Sequence, residues 1–169
     1  LQPGATLGAL NQALSLHGTS VMSLIGSHLF GTVGGAIASG VTGPLAGKYG
    51  GIKDAIDQLE VVLANGDVIQ TERVSKRELS RRKGLQGFEG DVYRGIDGVI
   101  DEYSEVIANI RPNDAAGYNA IANVKKSDGS FALTPLFVGS QGTLGVITEM
   151  IMRAEFHSRK KDVAVLVFA

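Results

Sequence analysis

Residues 30–43 read Phe-Gly-Thr-Val-Gly-Gly-Ala-Ile-Ala-Ser-Gly-Val-Thr-Gly, and we expect the rest of the chain to be arranged around this stretch. A backbone without Cβ atoms can approach a ligand closely, and its N–H groups can face an anion. Thr32 suits the N-cap of a short helix through Ala38, whose first turn would point donors at a phosphate. The alternative is that these glycines only let two elements pack closely.

Composition places the chain among globular proteins and excludes several classes of function. Its 169 residues are enough for one domain with a core, and 44% are hydrophobic and 20% charged. A formal net charge of −1 gives no general attraction to nucleic acid or anionic membranes. Cysteine is absent and the three histidines lie far apart, so we expect no disulfide and no metal site. No apolar run is long enough to span a membrane, and we expect a cytoplasmic location.

Two segments carry clear local signals. Thr6 is a candidate N-cap for a helix that buries Leu7, Leu10 and Leu14. Apolar and polar residues alternate on both sides of Asn65-Gly66, which is the strongest short-range signal for a β-hairpin. The pattern therefore predicts two antiparallel strands over residues 56–71.

The middle of the chain is charged and then periodic. Residues 75–83 are basic, but they lack interleaved aromatic residues, so a solvated helix face is favoured over a nucleic-acid surface. Apolar residues then recur with helical spacing, and we expect a helix over 89–110 that ends before Pro112. The positions predicted to face inward are Val92, Ile96, Val99, Tyr103, Val106 and Ile110.

A second glycine cluster follows, and strands are predicted around it. Residues 136–149 read Leu-Phe-Val-Gly-Ser-Gln-Gly-Thr-Leu-Gly-Val-Ile-Thr-Glu, and a strand should continue from it through Ile151 and Arg153. Residues 163–168 are a further β-like run.

Three motifs, taken in this order, resemble the FAD-binding domain of the FAD-linked oxidases and dehydrogenases, the broad vanillyl-alcohol oxidase family. They are Pro-Gly-Ala-Thr-Leu-Gly at 3–8, Thr-Val-Gly-Gly-Ala-Ile-Ala at 32–38 and Phe-Val-Gly-Ser-Gln-Gly-Thr-Leu-Gly-Val-Ile-Thr at 137–148. The likeness is greatest to dehydrogenases that act on 2-hydroxy acids and to the FAD subunit of glycolate oxidase. Two glycine clusters alone are a weak signal, whereas three motifs spread over about 150 residues are far more specific.

The resemblance implies an α+β fold, an antiparallel sheet flanked by helices, which is the second and larger subdomain of a two-part FAD-binding domain. Residues 1–169 would all belong to it, while the first pyrophosphate loop and the substrate-binding cap lie outside this chain. The implied cofactor is FAD, and the other partner is a small hydroxy-bearing substrate whose hydride, or its equivalent, passes to the flavin. The implied cofactor-binding residues are Thr32, Val33, Gly34, Gly35, Ala38, Ser39, Gly40, Gln141, Gly142, Thr143, Leu144, Gly145, Val146 and Ile147.

Besides the missing first pyrophosphate loop and cap, the sequence departs from the family at two places, and a rival interpretation stays open. Gln141 stands where the family usually has glutamate, and residues 75–110 are longer and more charged than in the family, with no function assigned. No catalytic base is evident: Tyr118 and His28 are the nearest candidates, but a buried tyrosine and a loop histidine are the favoured interpretations. The rival is a non-catalytic module that folds but binds no flavin. Substrate, electron acceptor and oligomeric state stay open.

Overall fold

The structure is a computed structural model, and it describes residues 1–21, 31–110 and 118–156. These residues form an α+β fold of helices and antiparallel strands, which confirms the predicted class. The helices are α1 (Leu7–Ser15), α2 (Val33–Ser39), α3 (Ala46–Tyr49), α4 (Ile52–Ala55), α5 (Lys76–Lys83), α6 (Phe88–Glu102), α7 (Ser104–Ala108) and α8 (Thr134–Phe137), with a 3-10 helix at Asn119–Asn123. The strands are β1 (Thr19–Ser20), β2 (Ile56–Val62), β3 (Val68–Gln70), β4 (Val146–Met152) and β5 (Glu155–Phe156).

The central sheet has the order β3-β2-β4, and both pairings are antiparallel. The predicted hairpin is confirmed as β2 and β3, with Val61 opposite Ile69. Its loop is closed by the Leu63 N–H, which donates to the Asp67 carbonyl at 2.8 Å. Gly66 has φ +90°, a conformation that glycine adopts without steric cost. The Asn-Gly signal therefore located the turn correctly.

Antiparallel contacts tie the start of the chain to its later part. β1 pairs with β5, so Thr19 lies opposite Phe156. The α-ammonium of Leu1 and the carbonyl of the same residue both bond to Met150 in β4, at 3.1 and 3.0 Å. β4 confirms the strand predicted after the second glycine cluster. The β-like run at 163–168 lies outside the described residues.

The core lies between the inner face of the central sheet and the helices. In β2 and the residue after it, Leu59, Val61 and Leu63 are buried, as their alternation predicted. Burying each such side chain contributes roughly 1.5–3 kcal/mol. Their buried partners include Val33, Ile37, Ile52, Ile69, Tyr93, Val124, Phe131, Leu133, Phe137 and Met150.

The basic segment forms α5, which is capped by the Ser75 hydroxyl accepting from the Glu78 N–H at 3.2 Å. The interpretation of this helix as a solvated face is wrong at Arg82, whose side chain is only 10% exposed. Its guanidinium donates to the Tyr93 hydroxyl at 2.7 Å and pairs with Glu72 at 2.7 Å. A buried guanidinium needs such partners, because an unpaired charge away from water is costly.

The predicted long helix is real, but it faces the core differently from the prediction. α6 ends at Glu102, and a short α7 follows after a break at Tyr103. Val99, Tyr103 and Val106 were predicted to point inward, yet they are 40%, 50% and 64% exposed. The buried positions are Gly90, Tyr93 and Asp97, and the half-buried apolar ones are Val92, Ile96 and Ile100. The buried face of α6 is therefore rotated away from the predicted apolar stripe, toward Tyr93 and Asp97.

The reason for this rotation is a charged cluster, defined here as Lys83, Asp97, Asp101 and Lys125. The Asp97 side chain is 5% exposed and accepts from Lys83 at 2.5 Å and from Lys125 at 2.8 Å. Burial alone would raise the pKa of Asp97, but the hydrogen bonds from the two lysines outweigh it, so the pKa lies below its usual value. Asp97 is thus an ionised group held inside by two cations, which an apolar periodicity cannot reveal.

Candidate functional site

The first glycine cluster forms α2 as the sequence predicts. The Thr32 hydroxyl accepts from the Gly35 N–H at 3.1 Å, so it is the N-cap. Gly40 ends the helix in the left-handed region at φ +63°, and its N–H donates to the Ile37 carbonyl at 3.0 Å. Both ends of this short helix are therefore set by the residues that made the stretch stand out.

The first turn of α2 is joined to the motif at 3–8. The Val33 N–H donates to the Ala5 carbonyl and the Gly34 N–H to the Pro3 carbonyl, both at 2.9 Å. A Cβ on Gly34 would lie only 2.5 Å from the Pro3 Cβ, so glycine is needed for this approach. The N–H groups of residues 33–35 are all occupied within the chain. The expected unpaired donors for a phosphate are thus not found at this helix start.

The other end of α2 is joined to the second glycine cluster. The Gly139 N–H donates to the Ile37 carbonyl at 2.9 Å, and the Gln141 N–H donates to the Ala38 carbonyl at 2.8 Å. A Cβ on Gly40 would lie 3.1 Å from the Gly139 Cα, so the two backbones approach more closely than side chains would allow. The three sequence motifs therefore meet on one short helix, although they lie about 100 residues apart in sequence at the widest interval.

The loop after Gly139 leaves ordinary backbone conformations and faces outward. Gln141 has φ +53° and Gly142 has φ +78°; among the described residues Gln141 alone combines a side chain with a positive φ. Such a conformation is uncommon for a residue with a Cβ, and it is found more often at functional sites. Residues 141–144 are exposed. The glutamine that replaces the family's glutamate therefore lies in the part of the loop that is open to a ligand.

The predicted cofactor-binding residues fall into three groups by exposure: buried, half-buried and exposed. Val33 is fully buried, so its side chain belongs to the core. Gly145 packs on the central sheet, since a Cβ there would lie 2.6 Å from Val61 Cγ1. Gly34, Ala38, Gly40 and Ile147 are half-buried. The exposed members, which a ligand can reach, are Thr32, Gly35, Ser39, Gln141, Gly142, Thr143, Leu144 and Val146.

A residue outside the predicted set also reaches this loop. The Tyr118 hydroxyl lies 2.5 Å from Thr143 Oγ1, and the tyrosine is 47% exposed, so the interpretation of Tyr118 as a buried tyrosine is wrong. The two residues are 25 positions apart, and no spacing in the sequence indicates the contact. The other candidate, His28, lies outside the described residues.

A cleft of about 690 Å³ lies elsewhere and contains none of the predicted cofactor residues. Its charged lining is mixed: Lys53, Arg73, Lys126 and Arg153 face Asp54, Asp57 and Glu155. Arg153 pairs with Asp57 at 2.9 Å, and Arg73 donates to the carbonyl of Asn123 at 2.9 Å. Because its charges largely offset one another and some already hold the chain together, this cleft does not define an anion site.

The described parts of the chain contain neither a metal-binding cluster nor a membrane-spanning helix. In residues 1–21, 31–110 and 118–156, no group of three or more His, Asp or Glu side chains is arranged to hold a metal ion. Over the same ranges, no helix has both the length and the apolar character needed to cross a bilayer.

A family model supports the resemblance to FAD-binding domains. Residues 1–72 match the family model described as an FAD binding domain. This span covers α1, α2 and the hairpin, including two of the three motifs. Residues 1–72 are therefore similar to an FAD-binding domain, a family whose cofactor is FAD.

The similar curated proteins are oxidoreductases. The D-2-hydroxyglutarate dehydrogenase of Pseudomonas putida is 27% identical over 88% of this chain. The mitochondrial D-lactate dehydrogenase [cytochrome] of Arabidopsis thaliana is 29% identical over 81%, and the glycolate oxidase subunit GlcD of Bacillus subtilis 29% over 90%. The chain spans only 15%, 16% and 22% of the length of these three relatives. The resemblance to FAD-linked oxidases and dehydrogenases is confirmed, for a small part of their length.

Solved structures agree on the fold. An alkyldihydroxyacetonephosphate synthase superposes on 92% of this chain with a TM-score of 0.53 and 20% identity, and the match covers 20% of that chain. At this identity the likeness concerns the fold alone.

Proposed function

We propose that this chain is the FAD-binding portion of an FAD-linked oxidoreductase that oxidises a small hydroxy-bearing substrate such as a 2-hydroxy acid. The observation that carries the proposal is the meeting of the three motifs on α2, through the backbone bonds of Val33, Gly34, Gly139 and Gln141. The substrate class is supported by the names of the relatives, two of which are dehydrogenases of D-lactate and D-2-hydroxyglutarate. The proposal includes the assignment of residues 1–169 to the larger subdomain of a two-part FAD-binding domain.

The exposed backbone beside α2 is the part of the chain that fits a dinucleotide. Gly40 and Gly139 let the two backbones pack against each other, so α2 and the loop at 141–144 lie side by side and a ligand would run along both. By the family resemblance, residues 141–147 would flank the ribose and adenine, and residues 141–144 and 146 of this range are exposed. Because the first-turn donors of α2 are occupied, charge on the pyrophosphate must be met by other groups. The exposed Thr32, Gly35 and Ser39 would border the ligand along α2.

FAD supplies the redox chemistry in this proposal, and the chain holds and orients it. The described residues present no group that we assign as a catalytic base. A cytoplasmic location stays a prediction, and cell fractionation tests it.

Isolated residues 1–169 should bind FAD weakly. Pyrophosphate needs several converging donors in a mostly closed site, and α2 offers fewer than the sequence suggested. If the rest of the protein contributes about 4 kcal/mol, its absence weakens binding roughly a thousandfold. Calorimetric titration of FAD into the isolated chain measures this. Sub-micromolar affinity would show that the chain holds the whole site and that the proposed domain division is wrong.

The proposed oxidation of a hydroxy acid is tested on the longer protein that contains this chain. Purified material should carry a flavin absorbance spectrum, and anaerobic addition of D-lactate, D-2-hydroxyglutarate or glycolate should bleach it. A matched primary alcohol without the carboxylate serves as the control and should bleach it slowly or not at all. If the protein carries flavin but none of the three acids reduces it, the proposed substrate class is wrong and the proposed cofactor stands.

The alternative is a non-catalytic module that folds but binds no flavin. The occupied N–H groups of residues 33–35 favour it, because they show part of the glycine cluster used for packing. Absence of flavin from the longer protein, together with no FAD affinity after addition, would establish this alternative.

A further inference from the structure

Tyr118 makes a directional hydrogen bond into the loop of the second glycine cluster. The Thr143 hydroxyl donates to the Ser140 carbonyl at 2.7 Å. A threonine hydroxyl has one proton, so that bond uses its only donor. The Tyr118 hydroxyl, 2.5 Å away, must therefore be the donor to Thr143 Oγ1. The three groups form a chain that runs from Tyr118 through Thr143 to the loop backbone.

The loop that receives this bond needs external support. Gln141 and Gly142 both have positive φ, and residues 141–144 are exposed, so beyond the Gln141 N–H bond to the Ala38 carbonyl there is little packing to hold them. The buried Ser140 anchors one end through its hydroxyl, which donates to the Phe137 carbonyl at 2.9 Å. Among the described residues, Tyr118 provides the one side-chain hydrogen bond that reaches this loop from another segment.

We propose that Tyr118 is a positioning residue of the nucleotide site. Its hydroxyl fixes Thr143, and through Thr143 it fixes the main chain of residues 141–144, which would flank the ribose and adenine. This inference rests on the proposed function, and it assigns to Tyr118 a role that neither its position in the sequence nor its exposure suggested. Tyr118 acts through Thr143 and needs no contact with the reacting atoms.

The expected effect is modest and specific to the cofactor. Loss of one exposed hydrogen bond that orders a binding loop should weaken FAD binding about threefold to tenfold. The free protein should keep its thermal midpoint, because Tyr118 is 47% exposed and buries little apolar surface.

A double-mutant cycle on the longer flavoprotein tests this. Tyr118→Phe removes the hydroxyl and keeps the ring, and Thr143→Val removes the acceptor at nearly constant shape. The dissociation constant for FAD is measured by quenching of flavin fluorescence after the cofactor has been stripped, and the thermal midpoint is measured without FAD. Each single variant should bind about threefold to tenfold more weakly, and the double variant should be no weaker than the worse single one. Tyr103→Phe is the matched control: Tyr103 is 50% exposed, lies at the break between α6 and α7, and should change nothing.

The outcomes separate the two proposals. If the unaltered protein binds FAD and Tyr118→Phe leaves the dissociation constant unchanged, the positioning role is wrong and the proposed function stands. Strictly additive losses in the double variant would also overturn it, because the two hydroxyls would then act independently. If the unaltered protein does not bind FAD, the proposed function fails and this inference fails with it.

Discussion

Two regions of the molecule are held together in opposite ways. At the junction of α2 with Pro3 and Gly139, backbone N–H groups bond to backbone carbonyls, and glycines leave no room for side chains. At the charged cluster of Lys83, Asp97, Asp101 and Lys125, long side chains reach one buried carboxylate. The junction should therefore be intolerant of added atoms and indifferent to pH, whereas the cluster should tolerate changes of shape and respond to charge.

The largest effect is expected at the junction. Gly40→Val places a β-branched residue at φ +63° and a Cβ 3.1 Å from the Gly139 Cα. Backbone strain and overpacking together should lower the free energy of unfolding by roughly 2–6 kcal/mol. Urea denaturation followed by circular dichroism measures the change. Gly47→Ala is the control, since Gly47 has open space around it and should lose less than about 0.5 kcal/mol.

The cluster should give the next largest effect. Asp97→Asn removes the charge that Lys83 and Lys125 neutralise, while its size is nearly unchanged. We expect a loss of about 1.5–3 kcal/mol in the free energy of unfolding, because both bonds involve charged groups and the carboxylate is buried. Asp91→Asn breaks an ion pair whose carboxylate is 65% exposed, and it should cost less than about 1 kcal/mol. Equal losses in the two variants would mean that burial of Asp97 does not matter.

The hairpin offers a test of strain without crowding. Gly66 has φ +90° and no heavy atom within 4 Å of an added Cβ, so any cost of substitution is torsional. Gly66→Val should destabilise by about 1–3 kcal/mol. Gly66→Asn should cost less, because asparagine enters the left-handed region more readily. An unchanged denaturation midpoint for the valine variant would count against the turn.

A pH titration distinguishes the two regions within one molecule. The pKa of Asp97 is lower in the folded chain than its usual value of about 3.9. A lowered folded pKa contributes stability that is present above the unfolded pKa and is lost as the pH falls through the folded one. Stability should therefore decline below about pH 4, and Asp97→Asn should decline less steeply. Parallel curves for the two proteins would show that Asp97 is not the group responsible.

Elements set by neighbouring residues could be predicted from the sequence, whereas contacts between distant residues could not. The hairpin and the α2 caps are local: Asn65-Gly66 specifies a turn, and Thr32 and Gly40 specify two helix ends within eight residues. The joining of the glycine clusters was inferable only through the resemblance to a family, since the Gly139–Ile37 bond links distant parts of the sequence. Occupation of the α2 donors by Pro3 and Ala5 could not be foreseen from residue types.

The helix after the basic segment shows why periodicity was insufficient there. The apolar stripe of α6 and α7 predicted one face, but Asp97 and Tyr93 occupy the buried face instead. Tyr93 brings a hydroxyl for Arg82, and Asp97 brings a charge for two lysines. An apolar pattern counts only hydrophobic burial, so it is misled wherever paired polar groups are buried.

The substitution with the smallest expected effect tests directly which face of α6 is buried. Val99 was predicted to be core, yet it is 40% exposed, so Val99→Ala should remove little buried surface. Alanine also has a higher helix propensity than valine, which offsets part of the loss. We expect a change within about 0.5 kcal/mol in the free energy of unfolding. Ile96→Ala, one turn away on the half-buried side of α6, should cost distinctly more, about 1–2 kcal/mol. Urea midpoints of the two variants, measured side by side, show which face of α6 is buried. A larger loss at Val99 than at Ile96 would support the face that the apolar stripe predicted, and it would contradict the packing of Asp97 against Lys83 and Lys125.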